Sequence, residues 1–158
     1  MTIRWQWCGI DDLSARQLYK LLAARSAVFV IEQNCVYQDM DGLDLDAVHL
    51  IGWSGPEVAC CLRLLAPGAK YPEASIGRVL TTALARGSGA GREMLSLAVN
   101  RLDQDYPAHA TRIGAQAYLQ KFYGDFGFRT VSDIYMEDGI PHVEMLRPAS
   151  ASSQACVD

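Results

Sequence analysis

At 158 residues the chain fits one ordinary domain, and residues 1–148 are read as that domain, followed by a flexible tail at 149–158. Hydrophobic residues make up 50% and charged residues 20%, enough apolar side chain for a core and too much for composition-driven disorder. Fourteen Lys and Arg stand against eighteen Asp and Glu, a net charge of −4 without the positive field that nucleic-acid binding needs.

The apolar runs 27–31 and 48–53 are far shorter than the roughly 18 to 20 residues that span a bilayer, so no membrane partner is expected. Residues 1–9 lack the basic start and apolar stretch of a secretion signal, and a cytoplasmic location is the expectation. Cys8, Cys35, Cys60, Cys61 and Cys156 form no Cys-x-x-Cys pair and match no zinc spacing, which predicts free thiols and no metal.

In chain order, residues 2–8 alternate Ile3, Trp5 and Trp7 with polar neighbours, the period of a half-buried strand. Residues 11–14 offer helix caps. A stripe of Leu18, Leu21, Leu22, Arg25, Val28, Phe29 and Glu32 then predicts a helix to about Gln33. Arg25 and Glu32 share the core-facing sector, so they need partners or a cavity, and pairing them together would anchor the next loop. Residues 34–46 are polar and acidic, without periodicity. Strands are predicted at 49–54, 57–66 and 75–82, the first two joined by a Gly55-Pro56 turn. After a glycine-rich turn at 86–91, Met94, Leu95, Ala98 and Leu102 predict a helix to about Asp105. Then follow a strand at 111–116, a short helix at 117–126 ended by Gly127, a strand at 128–135, a turn at 137–139 and a strand at 142–146.

The turn Arg86-Gly87-Ser88-Gly89-Ala90-Gly91 sits where a strand hands over to a helix. Backbone N–H groups at the helix start and the helix dipole suit an anion there, and Arg86 and Arg92 add local positive charge. A nucleotide P-loop is disfavoured because Arg92-Glu93 stands where Lys-Ser or Lys-Thr is needed. The dinucleotide fingerprint also fails, since the turn follows a fourth strand and no second βαβ half remains.

Arg86-x-x-Gly89-x-Gly91 after strand-like 76–82 resembles the acetyl-CoA-binding motif of the GCN5-related N-acetyltransferase superfamily, and Phe122-Tyr123-Gly124-Asp125-Phe126-Gly127-Phe128 is similar to its helix-then-strand motif. Arg25-x-x-Val28-Phe29-Val30-x-Glu32-Gln33-Asn34 and Tyr37-Gln38-Asp39-x-Asp41-Gly42 resemble the ElaA-like branch. So do Ile76-Gly77-Arg78-Val79, Gly114-Ala115-Gln116-Ala117 and Glu137-Asp138-Gly139-Ile140-Pro141-His142. The resemblance covers roughly residues 5–147. It implies an α/β fold of the α+β kind, the acyl-CoA N-acyltransferase fold, with a mixed, mostly antiparallel, splayed sheet of about six or seven strands flanked by helices. It also implies acetyl-CoA as co-substrate, the backbone of Val79, Leu80 and Thr81 pairing with its pantetheine arm. Arg86, Gly87, Ser88, Gly89, Ala90, Gly91 and Arg92 would hold the pyrophosphate. Gln116 stands where the family often has an Asn that contacts the cofactor, and Tyr123 matches its general acid. Homodimers are common in the superfamily.

Acetyl transfer to an amine needs a neutral nucleophile, and an amine with pKa of about 10.4 is mostly protonated at neutral pH. Glu32, Asp39, Asp41, Asp44 and His142 are the candidate bases, with Glu32 favoured for its position at the helix end. Arg25, Phe29, Asp39, Asp41 and His142 are the residues expected to bind the acceptor, a small-molecule or peptide amine. Asp39, Asp41, Asp44 and Asp46 either line its mouth or form a solvated face. A calcium loop is not supported, because Gly42 and Leu50 fall at the wrong positions after Asp39. Complete proton donation from Tyr123 to a thiolate is uphill unless the site lowers the phenol pKa, although a hydrogen bond would already help. The alternatives are a non-catalytic acyl-CoA sensor and a transferase using longer acyl donors.

Overall fold

Two tryptophans on alternate positions make the first strand, β1 (Arg4–Cys8), a ribbon with large side chains to pack. A computed structural model describes residues 1–151 of the chain, which form two compact units. The first comprises Met1–Leu65 with Gly77–Leu95, and the second Ala66–Ile76 with the residues from Ser96 onward.

In the first unit, β1 is followed by α1 (Ala15–Arg25). Ser14 caps α1: its Oγ accepts from the Gln17 amide at 3.1 Å, while its own amide donates to Gln17 Oε1 at 3.0 Å. The helix does not run on as α to Gln33. Ser26–Glu32 is π-helical, and its wider i→i+5 turn breaks the seven-residue phase that put Arg25 and Glu32 in one sector. Arg25 is therefore buried while Glu32 faces solvent.

The sheet of this unit has the order β1-β2-β3-β4, with β2 at Val48–Ser54, β3 at Glu57–Leu65 and β4 at Ser75–Thr81. The β1–β2 and β2–β3 pairs are antiparallel, and a bulge falls between Gly52 and Trp53. Gly52 is closely packed: a Cβ there would stand 2.7 Å from Cys60 Sγ and 2.9 Å from both Ile3 and Trp5. Leu21, Val28, Phe29, Ile51, Trp53, Val58, Cys61 and Leu80 form a core cluster. Burying each large apolar side chain in it contributes about 1.5–3 kcal/mol.

In the second unit, α2 (Ala90–Asp105) contributes its later turns, followed by β5 (Thr111–Gln116), α3 (Gln120–Gly124), β6 (Arg129–Thr130), β7 (Tyr135–Glu137) and β8 (Ile140–Arg147). The sheet order is β5-β8-β6, with β7 also pairing β8, all antiparallel. The helix expected over 117–126 is shorter, a 3-10 turn at Ala117–Leu119 leading into α3. The single strand expected over 128–135 is interrupted. The Glu144 amide, at 2.8 Å, donates to the Ser132 hydroxyl, so the side chain takes a ladder bond and the backbone bends away until β7. Phe122, Tyr123, Phe126 and Phe128 stack edge to face beside α3.

Of the segment read as a tail, residues 152–158 lie outside the described residues. The Ala151 amide donates to the Pro107 carbonyl at 2.8 Å. No helix among the described residues is long and apolar enough to cross a membrane.

Candidate active site

The glycine turn occupies the end of β4 and the start of α2. The Ala85 amide donates to the Thr82 carbonyl at 2.9 Å and the Ser88 amide to the Ala85 carbonyl at 3.2 Å, closing two successive tight turns. Gly87 and Gly89 then lie at φ +80° and +85°, a region that costs a side-chain-bearing residue about 1–2 kcal/mol. No atom lies within 4 Å of where either Cβ would stand, so the backbone is open to an incoming group. Ala90 and Glu93 amides are satisfied by Ser88 Oγ and the Gly89 carbonyl, while the first turn of a 16-residue helix supplies further donors and a positive dipole end. An acyl-CoA pyrophosphate fits this cradle by charge and by bare backbone.

Arg86 folds back on the turn, donating to the Thr81 carbonyl at 3.2 Å and to the Glu32 carboxylate. Glu32 therefore pairs with Arg86 and not with Arg25. It borders a cavity of about 420 Å³ lined also by Ala23, Ala24, Ala27, Val28 and Thr82. On β4, Leu80 turns into the core, whereas Val79 and Thr81 are half-buried. Arg92 is exposed on the first turn of α2.

Three of the four carboxylates of the acidic segment, Asp39, Asp41 and Asp44, are held by three arginines, whereas Asp46 is exposed. Arg25 donates to Asp39 at 2.8 Å and to Asp44 at 2.7 and 3.1 Å. Arg63 reaches Asp41 at 2.7 and 2.8 Å and Asp44 at 3.0 Å, and Arg78 reaches Asp39 at 2.7 Å. Burial disfavours the Arg25 charge, but its bonds to Asp44 and Asp39 outweigh this and raise its pKa. Hydrogen bonds from Arg63 hold the Asp41 carboxyl well below the usual range. For Asp44 burial opposes ionisation, yet Arg25 wins and the pKa falls. His49, buried beside them at 3.0 Å from the Asp44 carbonyl, has its pKa lowered by desolvation. Arg78 holds its place with φ +50°, left-handed backbone in the middle of a strand. Phe29 is buried in the core cluster beside Val28.

In the second unit, Gln116 ends β5 directly opposite His142 on β8, and His142 is also opposite Tyr135 on β7. The His142 ring stacks on Tyr135 with centroids 5.9 Å apart. Its Nδ1 lies 2.7 Å from the Ile140 carbonyl and its Nε2 3.3 Å from Glu137 Oε2. Gly114 opens a notch on β5, where a Cβ would stand 3.0 Å from the Tyr135 hydroxyl and 3.7 Å from that of Tyr71. Desolvation raises the Tyr135 pKa to about 12. Tyr123 is 6% exposed, and desolvation, then the neighbouring Tyr118, push its pKa up. The phenol thus stays protonated through neutral pH.

Sequence reasoning missed the pairing of Arg63 and Arg78 with the acidic segment and the grouping of Tyr135 and Glu137 with His142. Arg63 was detectable as the lone charge in the apolar run of β3, and its Nε is the buried side-chain polar atom without a partner among the described residues. Glu137 was legible as part of a turn and of the Glu137–His142 stretch that resembles the family, not as a partner of His142.

Two antiparallel sheets flanked by helices, with a glycine cradle at the start of α2, define an acyl-CoA N-acyltransferase fold. Residues 23–147 match the family described as the acetyltransferase (GNAT) domain, and the chain belongs to that family, in its ElaA-like branch. It is 43% identical to protein ElaA of Escherichia coli K12 over 147 residues, covering 92% of this chain and 96% of that protein. It is 42% identical to a UPF0039 protein of Synechocystis with the same coverage. The crystal structure of E. coli ElaA superposes with a TM-score of 0.86 over 92% of this chain and 99% of that one, at 42% identity. An acyl-CoA N-acyltransferase from Pseudomonas aeruginosa gives 0.87 at 39% identity with the same coverage.

Proposed function

We propose that the protein transfers an acetyl group from acetyl-CoA to a primary amine on a small molecule or peptide. The observation that carries this reading is the open cradle of Gly87 and Gly89 at the start of α2 in a chain of the GNAT family. In it, backbone groups from Gly87 to Gly91, with Arg92, bind the pyrophosphate, and Val79 to Thr81 offer strand-like backbone to the pantetheine arm. The Arg86–Glu32 pair stiffens the turn, which suits Glu32 better to holding Arg86 than to moving a proton. Acetyl-CoA supplies the activated acyl carbon and the thiolate leaving group.

Tyr123 acts at that thiolate. A thiol titrates near 8.5, below even an unperturbed phenol, and burial raises the Tyr123 phenol further, so its contribution is a strong hydrogen bond to the developing thiolate while the proton that sulfur finally carries comes from the attacking nitrogen. Gln116 adds an amide at the end of β5 to orient the cofactor.

Calorimetric titration with acetyl-CoA, followed by thiol release against a panel of amines, tests the reading. Saturable binding with thiol release is expected. Tyr123→Phe retains affinity and lowers turnover on the order of 10²-fold. Binding without release from any amine would instead point to a non-catalytic acyl-CoA sensor, and no binding at all would sink the assignment.

A further inference from the structure

We infer that His142 and Glu137 are the proton-accepting pair for the acceptor amine, an inference that rests on the acetyl-transfer reading. The Ile140 carbonyl, 2.7 Å from His142 Nδ1, can only accept, so Nδ1 carries a hydrogen. In the neutral ring Nε2 then holds the lone pair. A lone pair facing carboxylate Oε2 of Glu137 at 3.3 Å is repulsive unless a proton lies between them. The pair is therefore built to hold one proton, and Nε2 is the atom that takes it.

The surroundings suit transfer. The His142 side chain is 11% exposed and fixed by the Tyr135 stack, whereas the Glu137 side chain is 53% exposed and opens a route to water. Tyr71 and Tyr135 present hydroxyls over the Gly114 notch, and Glu144, two residues along β8, is held by Arg112 at 3.1 Å. The other candidate bases are engaged: Glu32 by Arg86, and Asp39, Asp41 and Asp44 by Arg25, Arg63 and Arg78. His49 Nε2 faces the Asp44 carbonyl.

An acceptor ammonium loses one proton to His142 Nε2, and the electron pair left on its nitrogen attacks the acyl carbon. The C–N bond forms as the C–S bond breaks with its electrons on sulfur. The remaining extra proton on nitrogen accounts for the one that sulfur gains, with Tyr123 serving the sulfur side. The imidazolium proton leaves through Glu137 to water, so each transfer releases one proton.

The test compares wild type, His142→Gln, His142→Ala and Glu137→Gln. His142→Gln is expected to bind acetyl-CoA with wild-type affinity, to lose about 10²-fold in kcat, and to lose the acidic limb of the kcat/KM profile. Added imidazole restores part of the rate of His142→Ala. Glu137→Gln, altered at an exposed side chain, gives a smaller fall with the same change in profile, and carries the kinetic test if the buried substitutions do not fold. Nitrogen NMR of the free wild-type protein is expected to find the neutral His142 ring protonated at Nδ1. The opposite tautomer, or a His142→Gln enzyme with unchanged kcat and pH profile, overturns the inference while leaving acetyl transfer intact. A wild-type enzyme that releases no thiol with any amine sinks both.

Discussion

Two polar clusters in this protein are built on opposite principles. In the first unit, Arg25, Arg63 and Arg78 interlock with Asp39, Asp41 and Asp44 through charge-assisted bonds as short as 2.7 Å, and the groups at its centre are nearly inaccessible. In the second, Tyr71, Tyr135, His142 and Glu137 gather with few mutual bonds around a bare glycine. Matched opposite charges fix protonation states and geometry, whereas loosely bonded titratable groups leave a proton free to move. The first cluster anchors the segment preceding β2, and the second is the one proposed to take the acceptor's proton.

Breaking the first cluster gives the largest effect. Arg25→Ala removes a buried partner from both Asp39 and Asp44, leaving them to Arg78 and Arg63 alone, a loss of about 3 kcal/mol on urea unfolding. A loss below about 1 kcal/mol would reduce the network to the standing of surface ion pairs. Acid provides a milder probe. Asp41 and Asp44 have folded pKa values below their unfolded ones, so their contribution is complete above the unfolded value, near 3.9, and is lost as pH falls through the folded values. Urea midpoints should accordingly hold level near neutrality as far as these groups are concerned and decline from about pH 4 downward, and a midpoint insensitive to that acid range would contradict the assignment. The smallest stability effect belongs to the second cluster. Gly114→Ala brings a methyl 3.0 Å from the Tyr135 hydroxyl, a tip that can yield, so unfolding changes by less than about 1 kcal/mol while the kinetics against amines change more. Equal losses in both would make the notch structural.

Strand positions were legible because apolar alternation and the Gly55-Pro56 turn act locally; β2, β3 and β4 fall within a residue of their expected ends. The glycine turn was legible for the same reason, since left-handed backbone at Gly87 and Gly89 leaves its mark in composition. What escaped depends on contacts distant in sequence. Nothing local tells a helix to widen at Ser26, and that change of winding sends Arg25 inward and Glu32 outward. Asp39 meets Arg78 across 39 positions, so the acidic segment could not disclose its partners. The bend after β6 depends on one hydroxyl, Ser132, substituting for a backbone acceptor.

The tight packing at Gly52 bears on how freely this chain can vary. Glycines in turns are held to their identity by backbone sign, and Asn or Asp can stand in for them at modest cost. Gly52 is held by volume alone, with Cys60, Ile3 and Trp5 closing on the space a methyl would need. In a saturation library, the turn glycines would accept a few replacements. Position 52 would accept one only together with a smaller neighbour, so its compensating changes should appear at 3, 5 or 60.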